Sequence, residues 1–177
     1  PAETISALTA RDRVLAQDIV SPIPLPEFRR STVDGFAVQA ASVQAALANG
    51  GTLRVIGEVR MGEMSRYTVA AGEAVKIHTG GNVPLGADAI LMVENAQLQP
   101  VPSENSGEIG AESKRSGELQ LLDEPNNSAL RPMSALSPND NIIELGEDVN
   151  AGEIVIRKGS RLKEADLGGL ASFGMVN

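Results

Sequence analysis

The chain has 177 residues, with 15 Lys and Arg against 23 Asp and Glu, 42% hydrophobic residues, 2% aromatics and no Cys. This is the composition of an ordinary globular protein of one or two domains, with a core that must be aliphatic, and the absence of Cys removes disulfides and thiolate metal sites. A net charge of −8 disfavours nucleic acid and anionic membranes as main partners, since both reward clustered Lys and Arg.

Residues 8–19 are expected to open on a helical turn and pass into a strand through Val14, Ala16, Ile19 and Val20. Pro22, Pro24 and Pro26 then impose an extended bridge that can be neither helix nor central strand. The Ala-rich run 38–49 predicts a helix stopped by Asn49-Gly50-Gly51. Segments 52–59, 73–80 and 88–95 read as short strands between Gly-rich turns, forming an antiparallel or mixed β module. The polar run 103–118 predicts a solvated loop between hairpin arms, and 119–124 one more strand. Two strands about the turn "NAGE" and a terminal helix with Leu167, Leu170 and Ala171 on one face complete the chain.

No apolar run approaches the roughly 18 residues of a membrane span and no signal-peptide pattern is present, so the expectation is a cytoplasmic protein. The first residue is Pro, which suggests a processed or excised chain.

Several positions invite chemistry. In "IHTGGNVP", Thr79, Gly80 and Gly81 can present N–H groups to an anion, or can simply turn the chain between strands. Asp34-Gly35 is either a turn pair or a carboxylate placed to bind Mg²⁺ or a polar ligand. Glu147 and Asp148 are adjacent carboxylates after Gly146; on a strand they would face opposite sides, and a solvated strand edge is the plain alternative. His78 is the single histidine and has no other His or Cys with which to bind a transition metal, so packing or hydrogen bonding is expected of it. Ser31 and Thr32 show no triad order, and Arg29 and Arg30 are either an anion-binding pair or surface charges.

Three segments in order, "RVLAQDIVSPIPLPEFRRSTVDGFAV", "GEAVKIHTGGNVPLGADAILMVEN" and "NIIELGEDVNAGEIVIRKGSRLKEADLGGLASFG", resemble the N-terminal region of the MoeA-type molybdopterin molybdenumtransferases, the family that includes the C-terminal part of gephyrin. The resemblance covers most of 3–174, with 100–138 outside it. It implies Mg²⁺-dependent insertion of molybdate into adenylylated molybdopterin, with release of AMP. It also implies that Asp34, Thr79 and Glu147 are active-site residues, with Asp34 and Glu147 as metal carboxylates and Thr79, Gly80 and Gly81 facing the pterin substrate. In that reading Asp34 ends a rigid extended lead-in and Gly35 gives the chain room to turn. Val33 and Phe36 depart from the family's Met and Tyr, and residues 143–145 stand where the family commonly has arginines, a loss that weakens anion attraction.

The implied fold is α+β: a discontinuous mixed α/β linker domain, 1–41 with 140–177, that serves homodimerisation, enclosing a β-rich, barrel-like domain at 42–139. The family's pterin-binding catalytic domain would follow "LASFG", so the chain is expected to be part of a longer enzyme and inactive alone. A stand-alone scaffold or dimerisation module of the same fold is the alternative, and an unrelated hydrolase has no nucleophile arrangement behind it.

Overall fold

The computed structural model describes residues 2–100 and 128–175. In chain order these form β1 (Ile19–Val20), β2 (Arg30–Ser31), β3 (Gly35–Val38), α1 (Ala40–Asn49), β4 (Leu53–Val59), β5 (Glu73–Ile77), β6 (Ala89–Met92), β7 (Ala96–Pro100), β8 (Ser128–Pro132), β9 (Ile142–Ile143), β10 (Ile154–Ile156) and α2 (Glu164–Ser172). The expected polar loop at 103–118 and strand at 119–124 lie outside the described residues.

The chain forms two units, Pro1–Arg29 with Glu144–Asn177, and Arg30–Ile143. The divisions at 29/30 and 143/144 replace the expected 41/42 and 139/140. The cause is pairing: β3 is an interior strand of the second unit's sheet, and β2 pairs with β9, so residues 30–41 belong to the β-rich body.

That body is built on a six-stranded sheet of order β6-β3-β5-β4-β8-β7, antiparallel except for the parallel β4–β5 pair. It is a curled half-barrel, open between β6 and β7, rather than a closed barrel. β3 is buried on both faces, which accounts for its unbroken apolar sequence Phe36-Ala37-Val38. One face carries Phe36, Val38, Leu53, Val55, Leu91 and Leu130, covered by Val43 of α1 and by Leu136. The other carries Ala37, Val59, Val69, Val75, Ile77 and Ile90. Apart from Phe36 the core is aliphatic, as composition led one to expect, and each fully buried Val, Leu, Ile or Phe contributes about 1.5–3 kcal/mol.

Helix α1 starts two residues later than expected because Val38 belongs to β3. Its first N–H, on Ala40, is capped by Asp88 Oδ1 at 2.7 Å, and it ends at Gly50 in the left-handed region. Further along, Tyr67 lies over Gly57 of β4, where an added Cβ would fall 2.2 Å from the ring. β7 and β8 pair antiparallel on either side of the polar run 103–118, as its reading between hairpin arms requires, but neither strand was expected at these residues.

The other unit is held by shorter pairings. β1 pairs with β10, and isolated bridges join Val14 to Arg161 and Leu25 to Val149. The expected strand before residue 20 is therefore reduced to a bridge at Val14 and two residues of β1, preceded by a 3-10 turn at Ala7–Thr9. β9 and β10 do not pair across "NAGE"; each has another partner. In α2, Asp166 Oδ2 accepts the Lys163 N–H at 2.8 Å, and Glu164 and Asp166 put negative charge at the positive helix end. Leu170 is buried and Leu167 half-buried, but Ala171 is exposed, so the apolar stripe is narrower than expected.

Candidate functional site

Asp34 immediately precedes β3 and Thr79 lies just beyond β5. The antiparallel pairing of the two strands, with Gly35 opposite Ile77, brings these ends together. Asp34 Oδ1 accepts the Thr79 N–H at 2.8 Å and the Thr79 hydroxyl at 3.1 Å. Gly35 does not serve as a turn. It is the first buried residue of β3, and a Cβ there would lie 2.2 Å from the Leu91 carbonyl oxygen of β6. Its role is close strand approach.

Residues 78–81 form a turn in which Gly81 N–H donates to the His78 carbonyl at 2.8 Å and Gly80 takes φ 78°, the geometry of a type II turn. Gly80 N–H donates to Ser31 O at 2.8 Å, and Ser31 N–H donates to Gly81 O at 3.0 Å. A Cβ on Gly81 would come within 2.8 Å of the His78 carbonyl oxygen. The N–H groups of Thr79, Gly80 and Gly81 are thus all engaged within the chain, and the anion held by this turn is the Asp34 carboxylate.

The same face of the sheet continues as a charged row. Lys76 Nζ lies 2.9 Å from Glu58 Oε1, which also receives His78 Nε2 at 2.9 Å; His78 Nδ1 lies 3.8 Å from Asp34 Oδ1. His78 therefore has the hydrogen-bonding role expected of it. The Thr79 N–H holds the Asp34 carboxyl below its ordinary pKa, reinforced by the Thr79 hydroxyl and then, against slight desolvation, by the charges of His78 and Lys76. Glu58 is lowered in the same direction, chiefly by Lys76. Glu58 also borders a cleft of about 380 Å³ lined with Glu63, Met64, Arg66 and Tyr67. Sequence reading missed Glu58 and Lys76. The visible signal was the spacing of Lys76 and His78, two apart and so on one face of a strand.

Glu147 belongs to the other unit. It lies in a turn, not on a strand: β9 has ended at Ile143, Glu147 N–H donates to Glu144 O at 3.2 Å, and Glu147 Oε2 accepts the Glu144 N–H at 2.8 Å. Gly146, at φ 72°, makes the turn possible and donates to Pro26 O at 2.9 Å. Asp148 is exposed, with its N–H bonded to Leu25 O. Arg29 reaches both oxygens of Glu144 through Nε, at 3.0 and 3.1 Å. Ser31 is buried and its hydroxyl bonds locally to Val33 O, far from the arrangement of a nucleophile. Among the described residues no three His, Asp or Glu side chains are grouped to hold a metal ion, and no helix is long and apolar enough to cross a membrane.

Comparison with known proteins places these segments. Residues 1–174 match the family described as the MoeA N-terminal region, domains I and II. A molybdopterin molybdenumtransferase of Haemophilus influenzae is 31% identical over 174 residues, covering 98% of this chain and 36% of that protein. One of Staphylococcus aureus is 30% identical over 175 residues, with 98% and 35% covered. The solved structure of the molybdopterin biosynthesis MoeA protein of Pyrococcus horikoshii aligns at a TM-score of 0.75 and 32% identity, over 98% of this chain and 39% of that one. The chain spans little more than a third of the length of these relatives, and within that span the match is nearly complete: it belongs to the MoeA N-terminal region family.

Proposed function

We propose that this chain is the N-terminal part of a molybdenum cofactor biosynthesis enzyme that inserts molybdate into adenylylated molybdopterin and releases AMP. In this reading it contributes Asp34, Thr79 and Glu147 to a site completed by a downstream pterin-binding domain, and is inactive without it. The observation that carries the proposal is the Asp34–Thr79 lock, which joins two of the three family signatures through side chains of both. Thr79 orients the Asp34 carboxylate through two hydrogen bonds to Oδ1 and lowers its pKa below the ordinary value. Gly80 and Gly81, whose N–H groups are already engaged, act by shape: without side chains they let a substrate approach the turn.

Asp34 and Glu147, each in its own unit, are the carboxylates assigned to Mg²⁺ in this reading. Thr79 engages only Oδ1 of Asp34 and the Glu144 N–H only Oε2 of Glu147, so each carboxylate keeps a second oxygen to offer. A set of one or two carboxylates, completed by substrate phosphates and water, suits Mg²⁺. Bound there, the ion would offset phosphate charge. Homodimerisation through the first unit and a cytoplasmic setting belong to the same reading.

The test is Mg²⁺- and molybdate-dependent AMP release from adenylylated molybdopterin, with this chain alone and with the downstream domain supplied. Release is expected only with both, and Asp34→Asn in the complete protein should lower it on the order of a hundredfold without altering circular dichroism. No release with both pieces, beside a working full-length relative, would overturn the transferase reading in favour of a scaffold. Full activity of Asp34→Asn would remove Asp34 from the site.

A further inference from the structure

Arg29 and Arg30 are neighbours in sequence with opposite fates. Arg29 meets a carboxylate, Glu144, through its Nε. Arg30 meets none: its Nε is buried without an acceptor, and among the described residues its side chain has neither an ion pair nor a hydrogen bond. A guanidinium N–H taken from water and left unpaired is costly, and an acidic chain of net charge −8 has carboxylates to spare for it. Among the described residues none pairs with it.

The surroundings of Arg30 are specific. In the ladder it stands opposite Ile143 on one side and forms an antiparallel bridge with Asn82 on the other. Bridge partners carry their side chains on the same face, within reach of each other. Asn82 is held by its oxygen, which accepts the Ser65 N–H at 2.9 Å, so its NH₂ group is directed elsewhere and has no acceptor among the described residues. A fixed amide donor thus accompanies a partly buried guanidinium, with an apolar Ile143 beside them and no competing carboxylate among their ladder partners. The neighbouring turn at 79–81 offers no alternative, because its N–H groups are already satisfied.

We propose that Arg30 and Asn82 form a binding site for a small tetrahedral oxyanion, of the phosphate or molybdate class. Arg30 supplies charge and the forked donor geometry suited to two oxygens of one anion, and Asn82 supplies a neutral donor beside it. The site stands on this geometry whether or not the transferase reading holds.

The test uses the 177-residue chain, ¹⁵N-labelled, titrated with inorganic phosphate and separately with molybdate, following the Arg30 Nε–H and Asn82 NH₂ signals. Both are expected to move and saturate with at least one of the two anions. Arg30→Ala should weaken the saturable binding about tenfold or more, Arg30→Lys should retain part of it, and Asn82→Ala should cost about fivefold. Asp34→Asn should leave it unchanged, which separates this inference from the role proposed for Asp34. Absence of any saturable shift in the unaltered chain would overturn the proposal. So would binding that persists undiminished in folded Arg30→Ala and Arg30→Lys chains.

Discussion

Of the turns that close on a carboxylate, those of Glu147 and Asp34 do so over very different spans of sequence. Glu147 folds back on the N–H of Glu144, three residues away, a local bond that any short polar turn can make. Asp34 accepts from Thr79, 45 residues away, so its bond exists only once β3 and β5 have paired. The Asp34 carboxylate is accordingly fixed by the sheet, with Gly35 seated against Leu91 and the 78–81 turn tied to Ser31. The Glu147 carboxylate is fixed by its own turn. A carboxylate tied to a buried sheet shares the rigidity of that sheet, whereas one held locally keeps its geometry even if distant packing is disturbed.

Breaking the sheet contact should give the largest effect. Gly35→Ala places a methyl 2.2 Å from a backbone oxygen, a collision no rotamer can relieve, and should destabilise the second unit by about 3 kcal/mol in urea unfolding. A cost under 1 kcal/mol would mean that β3 and β6 separate easily and that Asp34 is less firmly held than described.

Thr79→Ala sharpens the comparison without breaking the fold. It removes the hydroxyl and keeps the stronger N–H bond, so the Asp34 carboxyl should titrate at higher pH than in the unaltered chain while staying below its ordinary value, as read by ¹³C NMR. Because folding lowers this pKa, the stabilisation linked to Asp34 is present above the ordinary carboxylate value and is lost as pH falls through the folded one. In Thr79→Ala the linked stabilisation should be smaller, and its loss should be complete at a higher pH. An unchanged Asp34 titration would show that the hydroxyl contributes nothing.

The smallest effect belongs to Glu147→Ala, which removes one exposed local bond and should cost about 0.5 kcal/mol. A loss of several kcal/mol would show that this turn is tied to its unit as firmly as Asp34 is to the sheet.

The same contrast explains what could be read from sequence. Strands β4, β5 and β6 and helix α1 announce themselves through local pattern, with alternation in 53–59 and an Ala-rich run ended by glycine. Asp34, Thr79 and Glu147 stood out as residues, but the bond between the first two did not, because nothing near position 34 names a partner at 79. Gly35 was misread since Asp-Gly is the usual signature of a turn, while its actual constraint comes from a strand not yet reached in the chain. Glu58 and Lys76 escaped for a similar reason: their pairing depends on a parallel register with a bulge between Val55 and Gly57. β7 was missed because "AQLQP" is half exposed and ends in proline, as edge strands do.

The seat of Tyr67 over Gly57 has a practical meaning for optical work. The chain has one Tyr and no Trp, so its ultraviolet absorbance near 275–280 nm and its intrinsic fluorescence come from a single ring. That ring belongs to the β-rich unit, and an emission change during denaturation follows that unit alone. Far-ultraviolet circular dichroism reads both units. Coincidence of the two signals would establish one cooperative transition, and separation would give each unit a midpoint of its own.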